Sequence, residues 1–225
     1  MDYLKQICVG QLPPGSLGKL KFLEIQQCID LMDVLLPSNL LQRLQNLEVI
    51  SLSTNSLKDI FPSEGIEGGQ IVLQKLRELK LDNLPELTKI WNGPHLAIFQ
   101  NLQILTVIKC KKLRNLFKWT VAMFLVQLED VWVQDCSALE GIIGMDEVIE
   151  ADKIIFPKLK NLLLQNLPCL TSFYPGNGTI ECPSLEHLHL HDCPLFRTSV
   201  SDFNSSKDIQ VNNEQHSLLL KKRLS

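Results

Sequence analysis

One spacing of apolar residues recurs along the chain: apolar-x-x-L-x-x-L-x-L-x-x-C/N/L. Seven copies run Leu17-Leu20-Leu23-Ile25-Cys28, Leu44-Leu47-Ile50-Leu52-Asn55, Leu73-Leu76-Leu79-Leu81-Leu84, Phe99-Leu102-Leu105-Val107-Cys110, Leu125-Leu128-Val131-Val133-Cys136, Phe156-Leu159-Leu162-Leu164-Leu167 and Cys182-Leu185-Leu188-Leu190-Cys193. Measured at the second apolar slot, successive copies are 27, 29, 26, 26, 31 and 26 residues apart. The two-residue step between the third and fourth slots is a strand period, and the three-residue steps beside it are a chain turning a corner. Each unit therefore predicts one short strand followed by a bend. Further apolar residues return inward after it: Leu31 and Val34, Leu87 and Ile90, Leu113 and Leu116, Leu139 and Ile142, Leu170 and Phe173.

A single unit cannot fold alone. About six buried apolar side chains do not offset the entropy of ordering some 26 residues. Stacked units share one core and pair their strands into a parallel sheet, so the pattern predicts a solenoid. Between the strands, 38–47 and 118–128 have helical spacing, with Ser38 placed as an N-cap. The stretches 62–70, 144–152 and 175–179 carry Gly, Pro and acids and read as loops. The expected array covers 1–195, with Leu4-Ile7-Val9 as a partial first repeat. The polar stretch 196–225 is expected to be a tail, a cap reaching Phe203, or disordered.

Alternation assigns the side chains that point away from the core. The middle outward column is Glu24, Ser51, Lys80, Thr106, Trp132, Leu163 and His189. One flank is Phe22, Val49, Glu78, Ile104, Asp130, Asn161 and His187, and the other is Gln26, Ser53, Asp82, Ile108, Gln134, Gln165 and His191. A Trp beside a Leu on an open sheet face is costly to leave wet, and Trp is enriched at binding hot spots. Trp132, Leu163 and His189 are therefore the expected centre of a protein-binding patch, with Asp130, Gln134, Lys80 and Thr106 around it.

Composition narrows the functional classes. A net charge of -3 creates no field favouring nucleic acid. No run of 18 apolar residues predicts a membrane span. The first residues lack the basic-then-apolar pattern of a secretory signal, so a cytoplasmic location and reduced thiols are expected. There is no GxxxxGK[ST] phosphate loop, HExxH or GxSxG, so no catalytic residue and no cofactor is assigned. His187, His189 and His191 share a strand face and resemble a zinc set, but solvated imidazoles explain them more simply, and no metal site is assigned.

The phrases between the cores are more specific than the cores. LPELTKIWNGP (84–94), CKKLRNLF (110–117), LVQLEDVWVQDCSALEGIIG (125–144), FPKLKNLLLQNLPCLTSFYPG (156–176) and CPSLEHLHLHDCP (182–194) resemble the C-terminal repeats of plant disease-resistance proteins, the coiled-coil, nucleotide-binding, leucine-rich-repeat receptors. The resemblance implies an α/β leucine-rich-repeat horseshoe with a concave parallel sheet and an irregular helix-and-loop convex side. It also implies a recognition or regulatory region that binds a pathogen effector or host protein, or the nucleotide-binding domain of a longer receptor. The substrate-recognition repeats of a ubiquitin-ligase adaptor are the alternative, but no helical ligase-docking module is visible.

Overall fold

The computed structural model describes residues 13, 15–28, 35–61, 73–91, 99–144, 153–176, 178–197, 203 and 210–213. In chain order the strands are β1 (Phe22–Gln26), β2 (Val49–Ser53), β3 (Glu78–Asp82), β4 (Ile104–Ile108), β5 (Asn115–Lys118) and β6 (Asp130–Gln134). They continue as β7 (Gly141–Gly144), β8 (Lys153–Ile155), β9 (Asn161–Gln165), β10 (Thr179–Glu181), β11 (His187–His191) and β12 (Gln210–Asn213). The helical segments are single turns, α1 (Ser38–Leu41) and α2 (Trp119–Ala122).

The chain is a parallel solenoid. One sheet has the order β1-β2-β3-β4-β6-β9-β11-β12, and its first seven strands are the Leu-x-Leu segments of the seven repeats. Leu79, Leu105, Val131, Leu162 and Leu188 stack as one inward column, and Leu81, Val107, Val133, Leu164 and Leu190 as the next, all buried. The return residues Leu87, Ile90, Leu113, Leu116, Leu139, Ile142, Leu170 and Phe173 are buried too. Leu31 and Val34 lie outside the described residues, as do the stretch 62–70 and residues 145–152.

Six of the seven corners are turned by a residue in the left-handed region. Gln27, Asn83, Lys109, Asp135, Asn166 and Asp192 all have φ between 51° and 56° in the position just before the last slot. Asn and Asp tolerate this conformation best among residues with a side chain, and they fill four of the six places. The corner N–H then bonds to the next strand: Lys109 to the Gln134 carbonyl at 2.9 Å, and Asp135 to that of Gln165 at 3.1 Å. The second repeat differs. There Thr54 is buried, its hydroxyl donating to the Cys28 carbonyl, while Asn55, the expected slot residue, is exposed and accepts a bond from Asn83.

The opposite side is less helical than the sequence predicts. Neither 38–47 nor 118–128 forms a continuous helix. Arg43, Leu44 and Leu47 donate to carbonyls three residues back, as do Phe124, Leu125 and Leu128. The turns tighten because the chain must deliver Leu44, Leu47, Leu125 and Leu128 to the core within a short repeat. Pro37, not Ser38, holds the N-cap position, with no side-chain capping bond. Two further parallel pairs, β5 with β7 and β8 with β10, replace loop on this side, and β10 takes Thr179 from the predicted 175–179 loop. At the C-terminal end, Phe203 is buried against Phe173 with ring centroids 5.2 Å apart. Beyond it, β12 adds a strand to β11 that the repeat pattern does not foretell.

Gly178 is fixed by packing. A Cβ there would lie 2.4 Å from Cη2 of the buried Trp119, whose ring rests on Tyr174 at 4.4 Å between centroids. An indole wedged in the core cannot yield cheaply. Gly178→Ala is expected to cost about 1–3 kcal/mol in a denaturant titration. Combining it with Trp119→Phe should recover part of the loss, because the trimmed ring vacates the colliding atoms. Equal stability of Gly178→Ala and the parent chain would contradict this packing.

Candidate functional site

The face of the main sheet opposite the core is built by strand alternation alone. β6 reads Asp-Val-Trp-Val-Gln: Val131 and Val133 are buried, Asp130 and Gln134 are half-buried, and Trp132 points out. In register, Trp132 lies between Thr106 on β4 and Leu163 on β9, and Leu163 is followed by His189 on β11. Lys80 precedes Thr106 in the same column. The structure thus aligns five of the seven expected site residues, Lys80, Thr106, Trp132, Leu163 and His189, in one row, with Asp130 and Gln134 flanking Trp132 on its own strand.

Trp132 is 45% exposed, and Ile104, beside Asp130 on the neighbouring strand, is 37% exposed. Leu163 and Ile108 are half-buried on the same face. Together they form an apolar block across β4, β6 and β9. Ile104 and Ile108 were legible as outward positions, but a search for a single aromatic anchor passes over them. Phe22, at 64% the most exposed large apolar side chain among the described residues, lies on the same face but far from the block, on β1.

Polar groups frame the block. Asn161 donates to the Asp130 carboxylate, and the Gln134 amide donates to Asp135 at 3.2 Å. On β11 the His187 and His189 rings are 6.3 Å apart, while His191 Nε2 lies 3.1 Å from Asp192. Among the described residues, no three His, Cys, Asp or Glu side chains converge as a metal site.

The edge beside the strand N-termini differs in chemistry. Lys21 and Arg77 both bind Glu48, at 2.9 and 2.6 Å, and Lys160 binds Glu129 at 2.8 Å. The Lys21 and Arg77 hydrogen bonds hold the Glu48 carboxyl below its ordinary range, and Lys160 does the same for Glu129. A polar cleft of about 400 Å³ opens there, lined by Glu48, Gln74, Lys75, Arg77, Asn101, Gln103 and Gln127. Several of its polar groups are already bonded: Arg77 to Glu48, Lys75 to Asn46 and Asn101 to the Gln74 carbonyl.

The repeat-slot cysteines are structural. Cys110, Cys136 and Cys193 are buried and aim their thiols at the carbonyl two residues back, at 3.6, 3.3 and 3.4 Å. A small thiol thus fills the corner and serves the end of the strand. All six described cysteines are unbridged. Contact with the Cys136 thiol and burial hold the Cys110 thiol far above its ordinary range. Cys182 is pushed up to about 12 by burial, and Cys193 to about 11 by burial. These protonated thiols are poor nucleophiles.

Residues 1–137 match the family model described as plant disease resistance protein RPS2-like, leucine-rich repeats. This chain belongs to that family. Curated relatives from Arabidopsis thaliana agree with that membership. Probable disease resistance protein At1g61300 is 27% identical over 70% of this chain and 24% of its own length. Probable disease resistance protein At5g47260 is 29% identical over 76% of this chain and 19% of its own. Putative disease resistance protein At4g19050 is 31% identical over a shorter stretch, 32% of this chain and 6% of its own length. The chain therefore spans less than a quarter of each of these relatives, and the shared part is the leucine-rich-repeat region of a plant disease resistance protein. Among the described residues of this repeat region, no helix is long and apolar enough to cross a membrane.

Proposed function

We propose that this leucine-rich-repeat region is a non-catalytic protein-binding module, the recognition or regulatory part of an intracellular plant immune receptor. Its partner is a pathogen effector or a host protein, or the nucleotide-binding domain where the chain is part of a longer receptor. Trp132, Leu163 and His189 form the centre of the contact, with Asp130, Gln134, Lys80 and Thr106 around them. A cytoplasmic location accords with the unbridged thiols of the described residues, among them the exposed Cys169. The observation that carries the reading is Trp132, an aromatic side chain left 45% exposed beside other apolar side chains on a continuous sheet. Nothing in the core requires it there, and rigid, desolvated Trp is the commonest anchor of protein interfaces.

Trp132→Ala tests the reading. Proximity labelling in plant cells should identify proteins captured by the parent chain, and the variant should bind them at least about tenfold more weakly. The melting temperature should be unchanged, because the removed ring contributes little to the core. Undiminished capture would reject the patch. Capture lost together with stability would assign Trp132 to the fold instead.

A further inference from the structure

The open face carries most of its charge in one sign. Across the three outward columns from β1 to β11 stand four carboxylates, Glu24, Glu78, Asp82 and Asp130, against one ammonium, Lys80. The whole chain has 25 acids and 22 Lys and Arg, so its net charge of -3 is matched by this one surface. Five acids elsewhere are paired with cations: Glu48 with Lys21 and Arg77, Glu86 with Lys112, Glu129 with Lys160, Glu140 with Arg114 and Glu181 with Lys153. Among the described residues, Glu24, Glu78, Asp82 and Asp130 form no ion pair. Glu24 and Asp130 accept only amide hydrogen bonds, from Gln26 and Asn161.

These acids are also placed with respect to the apolar block. Glu78 and Asp82 neighbour Ile104 and Ile108 across the β3–β4 pairing, and Asp130 neighbours Ile104 from the other side. Parallel strands are about 4.8 Å apart, so the β3 carboxylates lie roughly 10 Å from strand β6, which carries Trp132. Beyond Trp132 the face carries Leu163 with amides and imidazoles, and no further acid within the columns.

Resting on the reading of this face as a protein-binding surface, we propose that its occupant is a basic protein segment. It presents one large apolar side chain to Ile104, Trp132 and Leu163, and Lys or Arg about 10 Å away to Glu78 and Asp82, with Asp130 between. Acids that outnumber the single Lys80 and form no ion pair, beside an exposed apolar surface, raise the local concentration of such a segment and repel acidic ones. The same charge disfavours a second copy of the chain, which would bring two acidic faces together, and it disfavours nucleic acid.

The test is selection of a randomised twelve-residue peptide library, displayed on phage, on the full chain. Enriched peptides should combine one large apolar residue with at least two Lys or Arg. Their affinity should fall about tenfold for the triple variant Glu78→Gln/Asp82→Asn/Asp130→Asn, and should fall as salt is raised from about 0.05 to 0.5 M. Trp132→Ala should weaken the same peptides, while the triple variant keeps the parent melting temperature. Enrichment of acidic or uncharged peptides, or affinities indifferent to the triple variant and to salt, overturns the charge assignment alone if Trp132→Ala still abolishes binding. Peptides indifferent to Trp132→Ala overturn the reading of the face itself. A selection that enriches no peptide overturns the assignment of a linear basic segment.

Discussion

Phe99→Ala is expected to destabilise the chain by about 3–5 kcal/mol, read as a shift in urea midpoint at unchanged slope. Phe99 is fully buried at the start of the fourth repeat. Its ring is the hub of an aromatic chain: centroids lie 5.9 Å from Phe61, 6.1 Å from Trp91 and 5.9 Å from Phe117, all at steep angles. Edge-to-face contacts add to the burial of the ring itself. Phe61 and Trp91 belong to the two preceding units and Phe117 to its own, so the deleted ring leaves a void that no one repeat can close. In a stacked array each unit leans on its neighbours, so the loss should spread beyond its own repeat. Hydrogen exchange should show lost protection in β3, β4 and β6 together. Protection lost in β4 alone would show that the repeats are less coupled than this packing implies.

Raising the pH above about 9 is expected to weaken the fold steeply. An unfolded thiol titrates near its ordinary value of 9.0, whereas Cys182 and Cys193 are pushed up to about 12 and about 11 by burial. Between those values the unfolded chain has released protons that the folded chain still holds, so each step in pH favours unfolding. The stabilisation is complete below about pH 9 and is lost progressively as the folded-state values are approached. Each thiol contributes a slope of about 1.4 kcal/mol per pH unit in that window. Urea titrations at several pH values should therefore show a shallower decline for Cys182→Ala/Cys193→Ala than for the parent chain. Parallel declines would mean that the buried thiols do not govern alkaline stability.

The solenoid was legible because its core is written in a period that no helix or ordinary strand shares. Seven strands and their register follow from the spacing, and with them the outward columns, down to Trp132 facing Leu163 across a 31-residue interval. Three features were hidden for physical reasons. The extent of α1 and α2 was overestimated because helical spacing in 38–47 and 118–128 also suits a tightened turn that returns the same leucines to the core. Thr54 was missed because a hydroxyl bonded to the Cys28 carbonyl fills an apolar slot, which a pattern of apolar residues cannot register. β12 escaped because strand addition at the end of a stack needs only backbone pairing with β11, and Gln210–Asn213 lacks the leucine signature. For the candidate site, sequence supplied the positions, but not the exposure of Ile104 or that Glu78 and Asp82 form no ion pair.

The intervals between units vary from 26 to 31 residues, yet the pairing of Trp132 with Leu163 is as direct as that of Thr106 with Trp132. The displayed rows keep their register whatever the interval between them. Lengthening or shortening a linker and rewriting the exposed lettering are thus separable changes. A lineage under pressure from shifting opponents can revise one outward side chain at a time without renegotiating the scaffold that holds it.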